Sequence, residues 1–266
     1  LLQADPVPDL RRPEMAALLP QVDILVTGWK SHPVDAELRQ RMPRLKLIAH
    51  LAGTVKGVLT QGVASSGLRV VSAAEANAKP VAEFTLAHIL LHLKRVADWR
   101  SLYREKRSRI DTRNTRFGGP LGNAGRTVGI IGASRIGRRV AEDLRRHGVS
   151  VLLHDPFVSA ETAASFGAQK VEMAALLRRS DVVSLHQPLL PTTERSFGAA
   201  EFARMRDGAL LINTARGRII DSDALEAAMS GGRLFAVLDV TDPEPLPDTS
   251  PLWDMPNVTI TPHIAG

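Results

Sequence analysis

Apolar residues in this chain gather in short runs rich in Val, Ile and Leu, separated by stretches in which they recur at helical spacing. The runs Asp23 to Thr27, Leu45 to His50, Arg69 to Ser72, Thr127 to Ile131, Ser150 to His154, Asp181 to Leu185, Ala209 to Asn213, Phe235 to Asp239 and Asn257 to Thr261 predict strands. Between most of them, Arg135 to His147, Met173 to Arg179, Ala199 to Met205 and Ser222 to Ser230 predict amphipathic helices. Alternation of this kind is the βαβ pattern of an α/β fold built on a doubly wound parallel sheet.

The segment Pro80 to Lys106 breaks the rhythm: it is long, helix-compatible and free of proline after its first residue. Proline suits the first position of a helix, so a helix is expected to begin at Pro80 and to link two lobes. Asp111 to Gly125, rich in glycine, reads as a loop. The division into domains is placed near residues 73 to 79, with a small first lobe at 1–75 and a larger second one at 76–266.

Composition narrows the chemistry. At 266 residues the chain can bury a full core without covalent staples, and it has no cysteine, which removes disulfides, thiolate metal sites and cysteine nucleophiles and fits a cytoplasmic setting. The eight histidines show no H-E-x-x-H spacing, so no metal is expected. No apolar run is long enough to span a membrane. The net charge is +6, and its densest basic stretch runs from Lys94 to Arg116. One Trp and one Tyr there offer little surface for stacking bases, so a solvated helix or a subunit contact is favoured over nucleic acid.

The strand at Thr127 to Ile131 runs directly into Gly132-Ala133-Ser134-Arg135-Ile136-Gly137, and a helical pattern follows. A glycine-bearing turn between strand and helix is the setting in which helix N–H groups receive a dinucleotide pyrophosphate. The middle position of the loop is Ser134 where glycine is usual, and its Cβ limits how near phosphates can come. Asp155 ends the next strand, where an acidic residue binds the adenosine ribose hydroxyls and repels a 2′-phosphate, so NAD is expected over NADP. Asp155-Pro156 also reads as a plain turn initiator.

Ligands of open parallel sheets bind beyond the carboxyl ends of the strands. Three ionisable groups fall there: Arg216 after Ala209 to Asn213, Glu244 after Phe235 to Asp239, and His263 after Asn257 to Thr261. An arginine fork holds a carboxylate, a histidine exchanges a proton near neutral pH, and a carboxylate beside a histidine orients its ring. Taken singly, each is also an ordinary loop residue. Taken together, they are the parts needed for hydride transfer to a 2-keto acid.

The strings Val128 to Gly137, Leu211 to Gly217 with Asp221 and Ala224-Leu225 beyond, Leu238 to Pro245, and Thr261-Pro-His-Ile-Ala-Gly266 resemble the D-isomer-specific 2-hydroxyacid dehydrogenases. The resemblance implies a Rossmann cofactor domain, a smaller flavodoxin-like substrate lobe, NAD as cofactor and a homodimer. It makes Arg216 the substrate-carboxylate residue, His263 the acid/base and Glu244 its partner. It further assigns Asp239 to the nicotinamide carboxamide, and Val81, His186 and Thr214 to the cofactor cleft. The turn Gly53, Thr54 and Val55 is assigned to the substrate carboxylate, and Asn77 to the segment between the lobes.

Departures accompany the likeness. Thr241 stands where an aromatic residue is common, and Val55-Lys56-Gly57 lacks the usual Gly-x-Asp-Asn pattern. Relatives carry an additional strand and helix before the first strand seen here and a helix after the catalytic histidine, so a chain shortened at both ends is expected. The resemblance also admits an NAD-sensing scaffold without turnover, as in the family's corepressor relatives. A formate enzyme ranks low, because those members carry glutamine where Glu244 stands.

Overall fold

The computed structural model describes residues 3–64, 67–112 and 122–266, apart from the side chains of Gln61 and Ala64. Most of the loop expected at 111–125, and the end of the basic stretch at Arg113 and Arg116, lie outside the described residues. The chain divides into two units, Leu1–Ala78 and Lys79–Gly266, and the division falls inside a helix.

In the first unit, strands β1 (Ile24–Thr27), β2 (Leu47–His50) and β3 (Arg69–Ser72) form a parallel sheet in that order, with helices α1 (Ala36–Gln40) and α2 (Gln61–Ala64) in the crossovers. Asp35 starts α1 by accepting the Leu38 N–H at 2.9 Å, as an N-cap should. Leu19, Leu38, Met42 and Ile48 fill the core on one face of the sheet. Removing such a side chain from water contributes roughly 1.5–3 kcal/mol. Ile24, Val26 and Val71 lie on the other face and are exposed.

Helix α3 (Ala74–Leu93) crosses from the first unit to the second. It corrects the expected start at Pro80: the helix begins a turn and a half earlier and carries Pro80 inside it. Ala74, Glu75, Ala76 and Ala78 are strong helix formers, and the Asn77 N–H already donates to the Ala73 carbonyl at 2.9 Å. The single helix expected through Lys106 is likewise two. Arg95 adopts a left-handed φ of 55°, which ends one run and opens α4 (Val96–Lys106), a helix with no buried residue.

The second unit continues with β4 (Thr127–Ile131), α5 (Arg135–Arg146), β5 (Ser150–His154), α6 (Ala160–Ser165), β6 (Ala168–Lys170), α7 (Met173–Arg179) and β7 (Val182–Leu185). It is completed by α8 (Ala199–Arg204), β8 (Leu210–Asn213), α9 (Ser222–Ser230), β9 (Phe235–Leu238) and β10 (Val258–Ile260). The seven strands form one parallel sheet in the order β10-β9-β8-β7-β4-β5-β6. Strands β4, β7 and β8 are buried along nearly all their length, which is why they read as continuous apolar runs without alternation. Strand β6 was not foreseen: Ala-Gln-Lys carries no strand pattern, and it forms by adding to the edge of β5.

The order reverses between β4 and β7, creating a switch point with crossovers leaving in opposite directions. Register aligns the carboxyl ends: His154, Ile131, Leu185, Asn213, Leu238 and Ile260 pair across neighbouring strands. The residue after each strand therefore enters a common row: Asp155, Gly132, His186, Thr214, Asp239 and Thr261.

Candidate active site

Gly132 begins the row with φ +95°. A Cβ there would stand 2.6 Å from the Gln187 nitrogen, so the turn after β4 lies directly on the backbone that leaves β7. Gly137 is as constrained, because its Cβ would meet the Gly132 carbonyl oxygen at 2.3 Å. Both glycines thus close the loop upon itself and upon its neighbour. Ser134, between them, has φ −64°, where a side chain costs nothing. Its Oγ accepts the Gly137 N–H at 3.2 Å and caps α5. Arg135 and Ile136 supply the first residues of that helix, whose N-terminus favours an anion.

Asp155 braces the same loop. Its Oδ2 accepts the Ala133 N–H and its Oδ1 the Phe157 N–H, each at 2.8 Å. A second lone pair on each oxygen stays available to a ribose hydroxyl. His186 lies behind the loop: it is buried, and its Nε2 meets Ser184 Oγ at 2.9 Å. Burial lowers its pKa to about 4, so the ring is neutral. Thr214 is buried with its hydroxyl 3.4 Å from that of Thr85, and Thr85 in turn donates to the carbonyl of buried Val81 at 2.8 Å.

The charged trio sits on the turns after β8, β9 and β10. Asn213 shapes the first turn: its Oδ1 accepts the Ala215 N–H at 3.0 Å and its Nδ2 donates to the Arg216 carbonyl at 2.9 Å. The Arg216 side chain is exposed and donates to the Ala215 carbonyl at 2.5 Å. Gly217 then runs against the next turn so closely that a Cβ would lie 1.9 Å from the Thr241 carbonyl oxygen. Ser222 Oγ donates to the Asp242 carbonyl at 2.8 Å and ties the same two turns again.

Glu244 and His263 come together. Oε1 of the glutamate is 2.7 Å from Nδ1 of the histidine, and both side chains are about half exposed. No hydrogen bond or ion pair among the described residues joins Arg216 to either. Asp239 is buried beneath the last turn, and its carboxylate accepts from the Thr261 hydroxyl at 2.6 Å, the Ile264 N–H at 2.8 Å and the Ala265 N–H at 2.9 Å.

Gly53, Thr54 and Val55 lie in the first unit, on the turn that follows β2. There a Cβ on Gly53 would stand 3.5 Å from the Asn77 amide nitrogen. Among the described residues, no helix is long and apolar enough to cross a membrane, and no group of His, Asp or Glu could hold a metal ion.

Sequence reading missed Asn213, Ser184, Ser222 and Thr261. Only Asn213 left a signal: an asparagine two residues before a turn amide is an Asx-turn former. The others owe their roles to partners distant along the chain.

Residues 86–265 match the family model described as the D-isomer specific 2-hydroxyacid dehydrogenase, NAD binding domain. A D-3-phosphoglycerate dehydrogenase of Mycobacterium bovis is 32% identical over 96% of this chain and 47% of its own length. A glyoxylate reductase of Korarchaeum cryptofilum is 31% identical over 88% of this chain and 70% of its own. Among solved structures, the D-lactate dehydrogenase of Aquifex aeolicus complexed with NAD and lactic acid superposes with a TM-score of 0.73 and 29% identity, covering 96% of this chain and 79% of that one. The chain spans about half the length of the phosphoglycerate dehydrogenases it matches.

Proposed function

Because this chain belongs to the D-isomer-specific 2-hydroxyacid dehydrogenase family, with the NAD-binding domain at residues 86–265, we propose that it moves a hydride between NAD and C2 of a small D-2-hydroxy acid or the corresponding 2-keto acid. The observation that carries this reading is the 2.7 Å bond between His263 Nδ1 and Glu244 Oε1 on the carboxyl edge of the sheet.

The residues present fit a dinucleotide. The loop Gly132 to Gly137, with Ser134, Arg135 and Ile136 opening α5, would receive the pyrophosphate, and Asp155 the ribose. Val81, Thr214 and Asp239 are the residues for the nicotinamide end, with His186 as the packed floor behind the loop. When bound, NAD supplies the acceptor of the hydride in oxidation and its reduced form the donor in reduction.

The protein's own groups handle the proton and the carboxylate. With Nδ1–H of His263 donating to Glu244, Nε2 is the nitrogen left to protonate a carbonyl oxygen or to take a hydroxyl proton. Arg216, whose side chain among the described residues bonds its own turn, has guanidinium donors to spare for a bidentate hold on the acid's carboxylate. A homodimer and a cytoplasmic setting are part of the same proposal, resting on family likeness and, for the latter, on the absence of cysteine.

The test is NADH oxidation by the full-length protein with glyoxylate, hydroxypyruvate, phosphohydroxypyruvate, pyruvate and longer 2-keto acids. Turnover of at least one is expected. Tight NADH binding without turnover of any member would instead establish a cofactor-sensing scaffold.

A further inference from the structure

Asp239 is the most deeply buried carboxylate on the carboxyl edge of the sheet, 1% exposed at the end of β9. A buried charge persists only where donors surround it. Here, among the described residues, the donors come from one short stretch: the Thr261 hydroxyl and the Ile264 N–H to Oδ1, and the Ala265 N–H to Oδ2. These bonds bracket His263, one from the residue two before it and two from the residues just after.

Between the brackets, His263 adopts φ +57°, the left-handed region that non-glycine residues rarely occupy. Its own N–H folds back to the Thr261 carbonyl at 3.0 Å, and the Thr261 N–H continues the ladder to Leu238 at 2.9 Å. Such a turn does not hold itself. Hydrogen bonds to a carboxylate are about twice as strong as neutral ones, and three of them converge here. The imidazole beyond is half exposed, and among the described residues its ring is hydrogen-bonded to Glu244. Glu244 therefore aims the ring, while the backbone beneath it is set elsewhere. His88, half-buried on α3, also faces Asp239: burial lowers its pKa, and the Asp239 charge opposes that shift.

We propose that Asp239 is a positioning residue, whose buried carboxylate holds the 261–265 turn in the strained conformation that places His263 on Glu244. This goes beyond the cofactor contact that family likeness assigns to Asp239, and its catalytic consequence rests on His263 being the acid/base.

The test compares Asp239→Asn, Asp239→Ala and Thr261→Val in the full-length protein. Asparagine keeps one acceptor oxygen for Thr261 and Ile264 but turns an amide nitrogen towards the Ala265 N–H, so amide exchange at Ala265 should quicken by about tenfold, the effect of one hydrogen bond. Alanine should quicken Ile264 and Ala265 together, and Thr261→Val should have the smallest effect. In the same order kcat should fall, and in Thr261→Val, which leaves Asp239 in place, KM and the NADH dissociation constant should stay within about twofold. Unchanged exchange at both amides in Asp239→Asn would overturn the proposal, as would weaker NADH binding with kcat intact. Should the wild-type protein turn over no keto acid, the functional reading fails, whereas quickened exchange would still establish the anchoring.

Discussion

His263 Nδ1 and Glu244 Oε1 stand 2.7 Å apart on turns that leave the adjacent strands β9 and β10. Both side chains are about half exposed, so the bond contributes under about 1 kcal/mol to stability. Its value is orientation. Replacing His263 with alanine should lower kcat for keto-acid reduction by about a hundredfold or more, the usual weight of a general acid, with NADH affinity near normal. Glu244→Gln should lower kcat less and move the pH optimum. Unchanged turnover in His263→Ala would remove it as the acid/base.

Arg216 is held by its backbone, through Asn213, more than by its side chain. Arg216→Lys keeps the charge and loses the fork, so kcat/KM for the keto acid should drop by about tenfold or more, and Arg216→Ala should drop it further. Steady-state kinetics checks this; equal values for lysine and arginine would exclude bidentate recognition.

Asp155 has two attachments in the protein besides any to a ribose. Asp155→Ala should therefore weaken NADH binding and narrow the gap between NADH and NADPH, since the repelling charge and the loop brace leave together. Fluorescence titration with both cofactors measures it. An unaltered ratio of the two constants would count against contact with the ribose.

Gly217 has no room for a methyl group against the Thr241 peptide. Gly217→Ala should destabilise the protein by about 1–3 kcal/mol, the usual cost of overpacking, and displace the turn that carries Glu244. Thermal unfolding reads the first effect, and loss of kcat beyond the loss of folded protein reads the second.

Buried His186 and partly buried His92 give stability a dependence on pH. Burial lowers the pKa of His186 and of His92 to about 4, from 6.5. In the window between these values the unfolded chain takes up protons that the folded chain refuses. Stability is thus intact above about pH 6.5 and declines as pH falls towards 4, by on the order of 3 kcal/mol per histidine. Urea midpoints at pH 7 and pH 5 should differ, and the difference should shrink in a His92→Gln, His186→Gln double variant. An equal difference in that variant would refute the assignment.

Much of this was legible before folding. The buried strands read as apolar runs because a doubly covered sheet leaves no polar face, and the glycine loop was recognisable because it stood between a strand and a helix. Other features were not. Pro80 reads as a helix start by local preference, yet alanines before it extend α3 by more than a turn. Strand β6 has no pattern of its own and exists because β5 offers an edge. Ser134, which reads as an obstacle in the loop, becomes its cap, since only the three-dimensional turn brings its hydroxyl to Gly137.

The sequence by itself determined the kinds of groups available and the strand each would follow, because hydrophobic periodicity and turn chemistry are local. Tertiary structure decided what those groups do for one another. Asp239 and His263 are ordinary loop residues until parallel pairing of β9 and β10 sets their turns side by side. Only then does a buried carboxylate, denied water, take its hydrogen bonds from the turn that carries the histidine.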